Sequence, residues 1–220
     1  MSVIEEKKRM RATVRARVKD ALATRYADRD ALARVFATQL FTIPEVASAK
    51  TVMAYIDLPD EVPVSKLMTD LFFRLGRSET LSAVAVRQVV VPYCQGNELG
   101  LFRFSVPEFP CATQTLLTNE LASGQYHILE PRSTLRSDPQ HAVDPSQIDI
   151  VLVPGIAFDL QGGRLGRGAG YYDRFVSRLS NNTLLISLVL DEQLVESVPM
   201  EIHDRHIDYI VKTGIVHKIR

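Results

Sequence analysis

Asp149-Ile150-Val151-Leu152-Val153-Pro154-Gly155 opens the stretch whose reading decides the fold. Ile150 to Val153 is an unbroken apolar run, the pattern of a strand buried on both faces, and a glycine-dense loop follows it. Tyr171, Phe175 and Leu179 then recur every four residues on one helical face, and Leu184 to Leu190 forms a second buried run. Strand, crossover helix and strand in this order make a right-handed βαβ unit, which places two parallel strands in one sheet.

The pattern extends in both directions. Met10, Val14, Val18 and Leu22 are spaced by four, so residues 3–25 read as an amphipathic helix. A second helix is capped by Asp28 or Asp30, carries Leu32, Val35, Phe36 and Leu40 as its apolar stripe, and stops at Pro44. Thr51 to Ile56 reads as a buried strand whose carboxyl end runs into a polar corner, Asp57 to Glu61, with a helix expected from about Val64 to Leu75. Val84 to Pro92 is strand-like, and Leu99 to Phe104 alternates as an exposed antiparallel strand does. Pro107 to Pro145 holds five prolines and one weak helical stretch, Leu116 to Leu121, and reads as loops and short elements. Asp191 is expected to cap a short helix, with strands at Ile207 to Val211 and around Ile215 and Val216. The sum is α/β: one domain over residues 1–220, a mostly parallel twisted sheet covered by helices on both faces, three layers in the order αβα.

Composition narrows the function. Twenty-six basic and 26 acidic side chains cancel, which argues against a protein that coats nucleic acid or an anionic membrane. Any cationic site must be local. Cys94 and Cys111 stand alone without CxxC spacing, so they read as buried thiols of a reducing compartment rather than zinc ligands or a disulfide. No apolar run approaches the roughly 18 residues of a membrane span, and Glu5, Glu6, Asp20 and Asp28 are wrong for a transit peptide despite the Arg-rich first helix. A cytoplasmic location is expected.

Five of the 11 glycines fall between residues 162 and 170, in Gln161-Gly162-Gly163-Arg164-Leu165-Gly166-Arg167-Gly168-Ala169-Gly170-Tyr171-Tyr172-Asp173-Arg174. Glycine permits positive φ and lets backbone N–H groups approach an anion, and Arg164 and Arg167 add forked donors suited to phosphate oxygens. The loop lacks the Gly-Lys-Ser/Thr of a P-loop and the full dinucleotide spacing. It reads as a phosphate cradle of another kind. Asp173 either complements the dipole of the helix that follows or holds Mg²⁺ beside the phosphate; spacing leaves both open. Lys7 and Arg11 border the buried seam of the first helix, either as a solvated basic face or, if that helix docks near the loop, as phosphate ligands. Glu61 lies just past a strand's carboxyl end, where open α/β sheets bind their ligands. His203 and His206 match no zinc spacing and read as structural, and Asp208 as an indirect support at most.

Val153-Pro154-Gly155-Ile156-Ala157-Phe158-Asp159, continuing through Arg164-Leu165-Gly166-Arg167-Gly168-Ala169-Gly170-Tyr171-Tyr172-Asp173, resembles the signature of the 5-formyltetrahydrofolate cyclo-ligase family. Lys7 to Arg11, Tyr55 through Glu61-Val62, Ile128-Leu129-Glu130-Pro131 and His203-Asp204 through Asp208 resemble further landmarks, in family order over nearly the whole chain. The resemblance implies an ATP- and Mg²⁺-dependent enzyme that converts 5-formyltetrahydrofolate into 5,10-methenyltetrahydrofolate and releases ADP and phosphate. It further implies that Lys7, Lys8, Arg11 and Arg164, Leu165, Gly166, Arg167, Gly168, Ala169, Gly170, Tyr171 and Tyr172 hold ATP, with Lys7 and Arg167 catalytic. Ile56, Glu61, Arg167, Gly168, Gly170 and Tyr171 would border the folate, and Asp173 and Asp208 would serve the metal. A monomer or weak homo-oligomer is expected. Two segments, Arg77 to Gln88 and Arg132 to Ser146, are longer than the resemblance leads one to expect. The rival readings are a non-catalytic relative with a regulatory or RNA-associated role, and a sugar-phosphate isomerase of similar architecture.

Overall fold

The computed structural model describes residues 2–67, 88–104, 120–124, 128–201 and 204–220. Helix α1 spans Val3–Ala23. Ser2 and Glu5 close its first turn reciprocally: Ser2 Oγ accepts from the Glu5 amide at 3.3 Å, and the Ser2 amide donates to Glu5 Oε2 at 3.0 Å. Val14, Val18, Ala21 and Leu22 are its buried face, with Met10 packed beside them. Helix α2, Arg29–Leu40, is capped by Asp28, whose Oδ1 accepts from the amides of Asp30 and Ala31. Its core face is Leu32, Ala33, Phe36, Ala37 and Leu40; Val35, expected in that stripe, is exposed. Pro44 does not stop α2, which ends at Leu40. It opens the short helix α3, Pro44–Ser48, at the position where a missing N–H costs nothing.

The strands are β1 (Thr51–Met53), β2 (Gln88–Gln95), β3 (Glu98–Arg103), β4 (Leu121–Ser123), β5 (Leu129–Pro131), β6 (Ile150–Leu152), β7 (Ala157–Phe158), β8 (Arg164–Leu165), β9 (Leu184–Leu188), β10 (Tyr209–Lys212) and β11 (Ile215–Lys218), with helix α4 at Tyr171–Val176. Seven strands form the main sheet in the order β11-β10-β9-β6-β1-β2-β3. The five inner strands are parallel, as their apolar runs predict; β3 and β11 pair antiparallel at the two edges. β6 and β9 are adjacent and parallel, so the βαβ unit read from the sequence stands. The sheet has two cores. Val52, Ile150, Leu152, Ile186 and Val211 face α1 and α2, whereas Met53, Val90, Val151, Leu185 and Ile210 face Phe175, Val176 and Leu179.

Several expectations change in detail. Leu121, placed at the end of a weak helix, starts β4, which pairs with β5 as a small hairpin; 105–119 lie outside the described residues. Asp191 is the first residue of a single 3₁₀ turn, Asp191–Gln193, whose flanking cap residue is Leu190. The helix expected from Val64 is described over 64–67 only, and the long link 77–87 also lies outside the described residues. The other long segment, 132–146, contains one 3₁₀ turn, Pro139–His141, and leads into a second, Pro145–Gln147, capped by the Asp138 and Asp144 side chains.

From β1 the chain passes to β2 on one side, while β6, β9 and β10 build outward on the other. The direction of winding therefore reverses between β1 and β6, and open α/β sheets hold their ligands outside the carboxyl ends of the strands at such a point.

Candidate active site

A cavity of about 740 Å³ opens at this reversal, lined by Tyr55 and Ile56 after β1 and by Pro154 and Gly155 after β6. The glycine-rich loop forms one wall. Its five glycines have two separate jobs. Asp159, 3% exposed, accepts hydrogen bonds from the amides of Gln161 (2.9 Å), Gly163 (2.8 Å) and Val198 (2.7 Å), fixing the turn between β7 and β8. Gly162, at φ +89°, packs there against the Ile207 carbonyl, where a Cβ would come within 2.7 Å. Gly162 and Gly163 are thus structural. Gly166, Gly168 and Gly170 line the cavity.

Gly168, at φ +112°, lies where its added Cβ would sit 3.7 Å from the Arg11 guanidinium carbon. Arg11 Nε donates to the Gly166 carbonyl at 2.8 Å, which docks α1 onto the loop. Lys7, one turn earlier, also lines the cavity and pairs with Glu201 at 3.5 Å. Lys8 is exposed on another side of α1 and does not line the cavity. The far end of the loop is tied to the β2–β3 turn: Tyr171 Oη donates to the Gly96 carbonyl at 2.9 Å and Arg174 Nε to the Asn97 carbonyl at 3.0 Å. Because α4 is only six residues long, the positive character of this wall rests on arginine side chains more than on a helix dipole.

Arg164 pairs with Asp173 and is almost fully covered. Arg167 reaches across the cavity, donating from Nε to Glu61 Oε1 at 2.9 Å and from Nη2 to Asp60 Oδ1 at 2.8 Å. Burial pushes the Glu61 carboxyl above its ordinary pKa even though the Arg167 charge and the Leu58 amide pull it down. For Arg167, burial lowers the guanidinium pKa, but the two carboxylates more than offset this. The opposite balances follow from depth: Glu61 is 11% exposed and Arg167 33%, so desolvation dominates only for the carboxylate. Arg11 differs from the other lining cations. Among the described residues it has no carboxylate within ion-pair distance, and burial holds its pKa below the usual guanidinium range.

Of the residues singled out in the sequence, Lys7, Arg11, Ile56, Glu61, 164–172 and Asp173 converge on this one cavity. Asp208 does not. Its Oδ2 accepts from the Leu185 amide at 2.8 Å, at the amino-terminal end of β9 and so at the opposite edge of the sheet. The cavity is also lined by Glu201 at the rim and by Tyr93 and Cys94 on the inner wall, to which sequence reading assigns no site role, and by Asp204 and Glu130, which it marks only as family landmarks. Cys94 is half-buried rather than buried, while Cys111 and His203 lie outside the described residues. Among the described residues the buried Tyr172 hydroxyl has no hydrogen-bond partner and, with burial pushing its pKa up, it stays protonated. A signal for Glu130 was present in its Glu-Pro motif; nothing local marked Asp60 or Glu201.

No group of three or more His, Cys, Asp or Glu side chains among the described residues forms a metal cage. Asp173, half-exposed at the cavity rim, pairs through Oδ1 with Arg164, so its fit to the usual role of a single carboxylate completing a Mg²⁺ shell rests on the other oxygen, Oδ2. Among the described residues no helix is long and apolar enough to cross a membrane.

A doubly wound α/β sheet with a glycine–arginine loop and a cationic helix meeting over a cavity at its switch point defines a protein of the ligand-binding α/β class. Comparison with known proteins narrows the class. A sequence model of the 5-formyltetrahydrofolate cyclo-ligase family matches residues 3–213, and the chain belongs to that enzyme family. The 5-formyltetrahydrofolate cyclo-ligase of Escherichia coli K12 is 30% identical over 176 residues, 80% of this chain and 84% of that protein. That of Mycolicibacterium smegmatis is 28% identical over 171 residues, 77% of each. The solved structure of Aquifex aeolicus 5,10-methenyltetrahydrofolate synthetase superposes with a TM-score of 0.70 at 26% identity, covering 97% of this chain and 93% of that one. The synthetase from Mycoplasma pneumoniae shares the fold, at TM-score 0.58 and 18% identity over 93% of this chain and 97% of that one.

Proposed function

We propose that the protein catalyses the ATP-dependent closure of 5-formyltetrahydrofolate to 5,10-methenyltetrahydrofolate. The formyl oxygen attacks the γ-phosphorus and ADP leaves; N10 then attacks the activated formyl carbon and phosphate departs with that oxygen, N10 losing its proton. The site supports a mechanism of alignment and charge stabilisation, since phosphoryl transfer asks little covalent chemistry of the protein. Lys7, Arg11 and the loop 164–172 take the polyphosphate. Arg167, at the boundary with Glu61, faces the transferring group. Glu61, Ile56 and Tyr171 hold the folate. Mg²⁺, when bound, would neutralise phosphate charge, and Asp173 would hold it through the oxygen not paired with Arg164.

One observation carries this reading: Arg11, a partly buried cation near Asp173 but with no carboxylate at ion-pair distance among the described residues, lies against the glycine loop 155 positions away and on the rim shared with Lys7. A partly buried guanidinium with no ion pair, at the mouth of a cavity, favours an anion there. The cavity volume of about 740 Å³ also lies within the roughly 300–1,000 Å³ usual for small-molecule sites. Absorbance of methenyltetrahydrofolate that appears only with ATP and Mg²⁺ is the expected result. Product formed without ATP, or none with it, would refute the assignment.

A further inference from the structure

Arg167 and Glu61, which the proposed reaction requires on different substrates, are bound to each other in the free protein. The 2.9 Å contact between them is joined by the 2.8 Å contact from Arg167 Nη2 to Asp60, so two donor groups of the guanidinium are already occupied. Asp60 has no role in the reaction as proposed. It sits in the polar corner after β1 with a half-exposed side chain, free to release Arg167 without leaving a buried charge behind. Glu61 has less freedom: besides Arg167, its Oε2 accepts from the Leu58 amide at 3.0 Å, which fixes the carboxylate's position whether or not the guanidinium stays.

We propose that Asp60 is a positioning residue which, together with Glu61, holds Arg167 in a closed bridge across the cavity, and that each substrate opens this bridge for the other. This rests on the cyclo-ligase reading above. A phosphate that captures Arg167 draws it from both carboxylates and leaves Glu61 available to donors on the pterin. A folate that occupies Glu61 likewise leaves Arg167 more readily drawn to phosphate. Whichever ligand arrives first bears the cost of breaking the bridge, and the second does not. The result is positive coupling, which must be equal in both directions.

The test is equilibrium titration with 5-formyltetrahydrofolate and with a non-hydrolysable ATP analogue plus Mg²⁺, each alone and in the presence of the other. In the wild-type protein each ligand should bind about tenfold more tightly when the other is present, a typical size for such coupling. In Asp60→Asn the bridge loses its outer anchor. The analogue alone should then bind a few-fold more tightly than to wild type, and the coupling should shrink; Asp60→Glu should restore both. The sign is decisive. If Asp60 merely steered Arg167 towards phosphate, Asp60→Asn would weaken analogue binding, and that result, or no change, overturns the bridge. Binding of both ligands to wild type without coupling overturns it as well, while leaving the cyclo-ligase reading intact. A wild-type protein that binds neither ligand removes that reading and the bridge together.

Discussion

Glu61 is the deepest carboxylate in contact with Arg167, and its raised pKa has consequences for both stability and binding. The folded protein binds the Glu61 proton more tightly than the unfolded chain does, so this residue's contribution to stability declines as pH rises from the ordinary carboxylate value through the raised one. In thermal unfolding of the ligand-free protein, Glu61→Gln should gain on wild type across that window, with little difference below it. The same substitution should weaken 5-formyltetrahydrofolate binding more than ATP binding, as read by separate titrations; the opposite order would place the pterin elsewhere. In wild type, folate affinity should fall as pH drops through the raised value, where Glu61 takes up its proton. Arg167→Ala should lower kcat by about a hundredfold or more, the usual loss when a donor to a developing charge is removed. Steady-state rates at saturating ATP test this directly.

At the scale of elements, Asp149 and Asp208 do similar work. Each carboxylate accepts from amides at the amino-terminal edge of the sheet: Asp149 from Lys50 and Thr51 at 2.7 and 2.9 Å, Asp208 from Leu185 at 2.8 Å. Asp208→Ala should therefore cost about 1–3 kcal/mol of stability, the usual loss when a hydrogen-bond partner is taken from a covered amide, while the Mg²⁺ dependence of turnover stays unchanged. An altered metal titration would restore it to the site. This residue marks the limit of what could be read from the chain alone. The apolar runs 150–153 and 184–190 located β6 and β9 because burial on both faces leaves a pattern that does not depend on distant partners. The division of the glycines did not show, since the Asp159 hydrogen bonds that assign Gly163 to a hairpin turn arise only in three dimensions. Nor did the fate of Pro44, which suits a helix start as well as a stop. Arg11 was legible as the border of a buried seam, but its contact with Gly166 depends on how α1 docks.

The molecule as a whole is a sheet whose functional end is closed by parts of the chain remote in sequence. Family signatures made the convergence of Lys7, Glu61 and Arg167 readable; of the carboxylates that engage Arg167 and Lys7 in the free state, Asp60 lay in the polar corner already singled out but without a role, and Glu201 lay in a segment whose composition resembles any polar surface. Because the ligands tie these remote parts together, either one at a hundred times its Kd should stabilise the fold by about 2.7 kcal/mol. For a chain of this size that amounts to roughly 5–10 °C in Tm. Scanning calorimetry with and without each ligand measures it, and an absence of any shift would mean that the ligands do not select the folded state.

Arg11 and Gly166 touch across 155 positions, so the pocket has no local precursor. During synthesis, the amino-terminal helix is finished and waiting long before its loop partner has been translated. On the proposed reading, no nascent fragment lacking that loop would capture nucleotide, and catalytic competence would arrive late, once chain elongation has brought the second half within reach of the first.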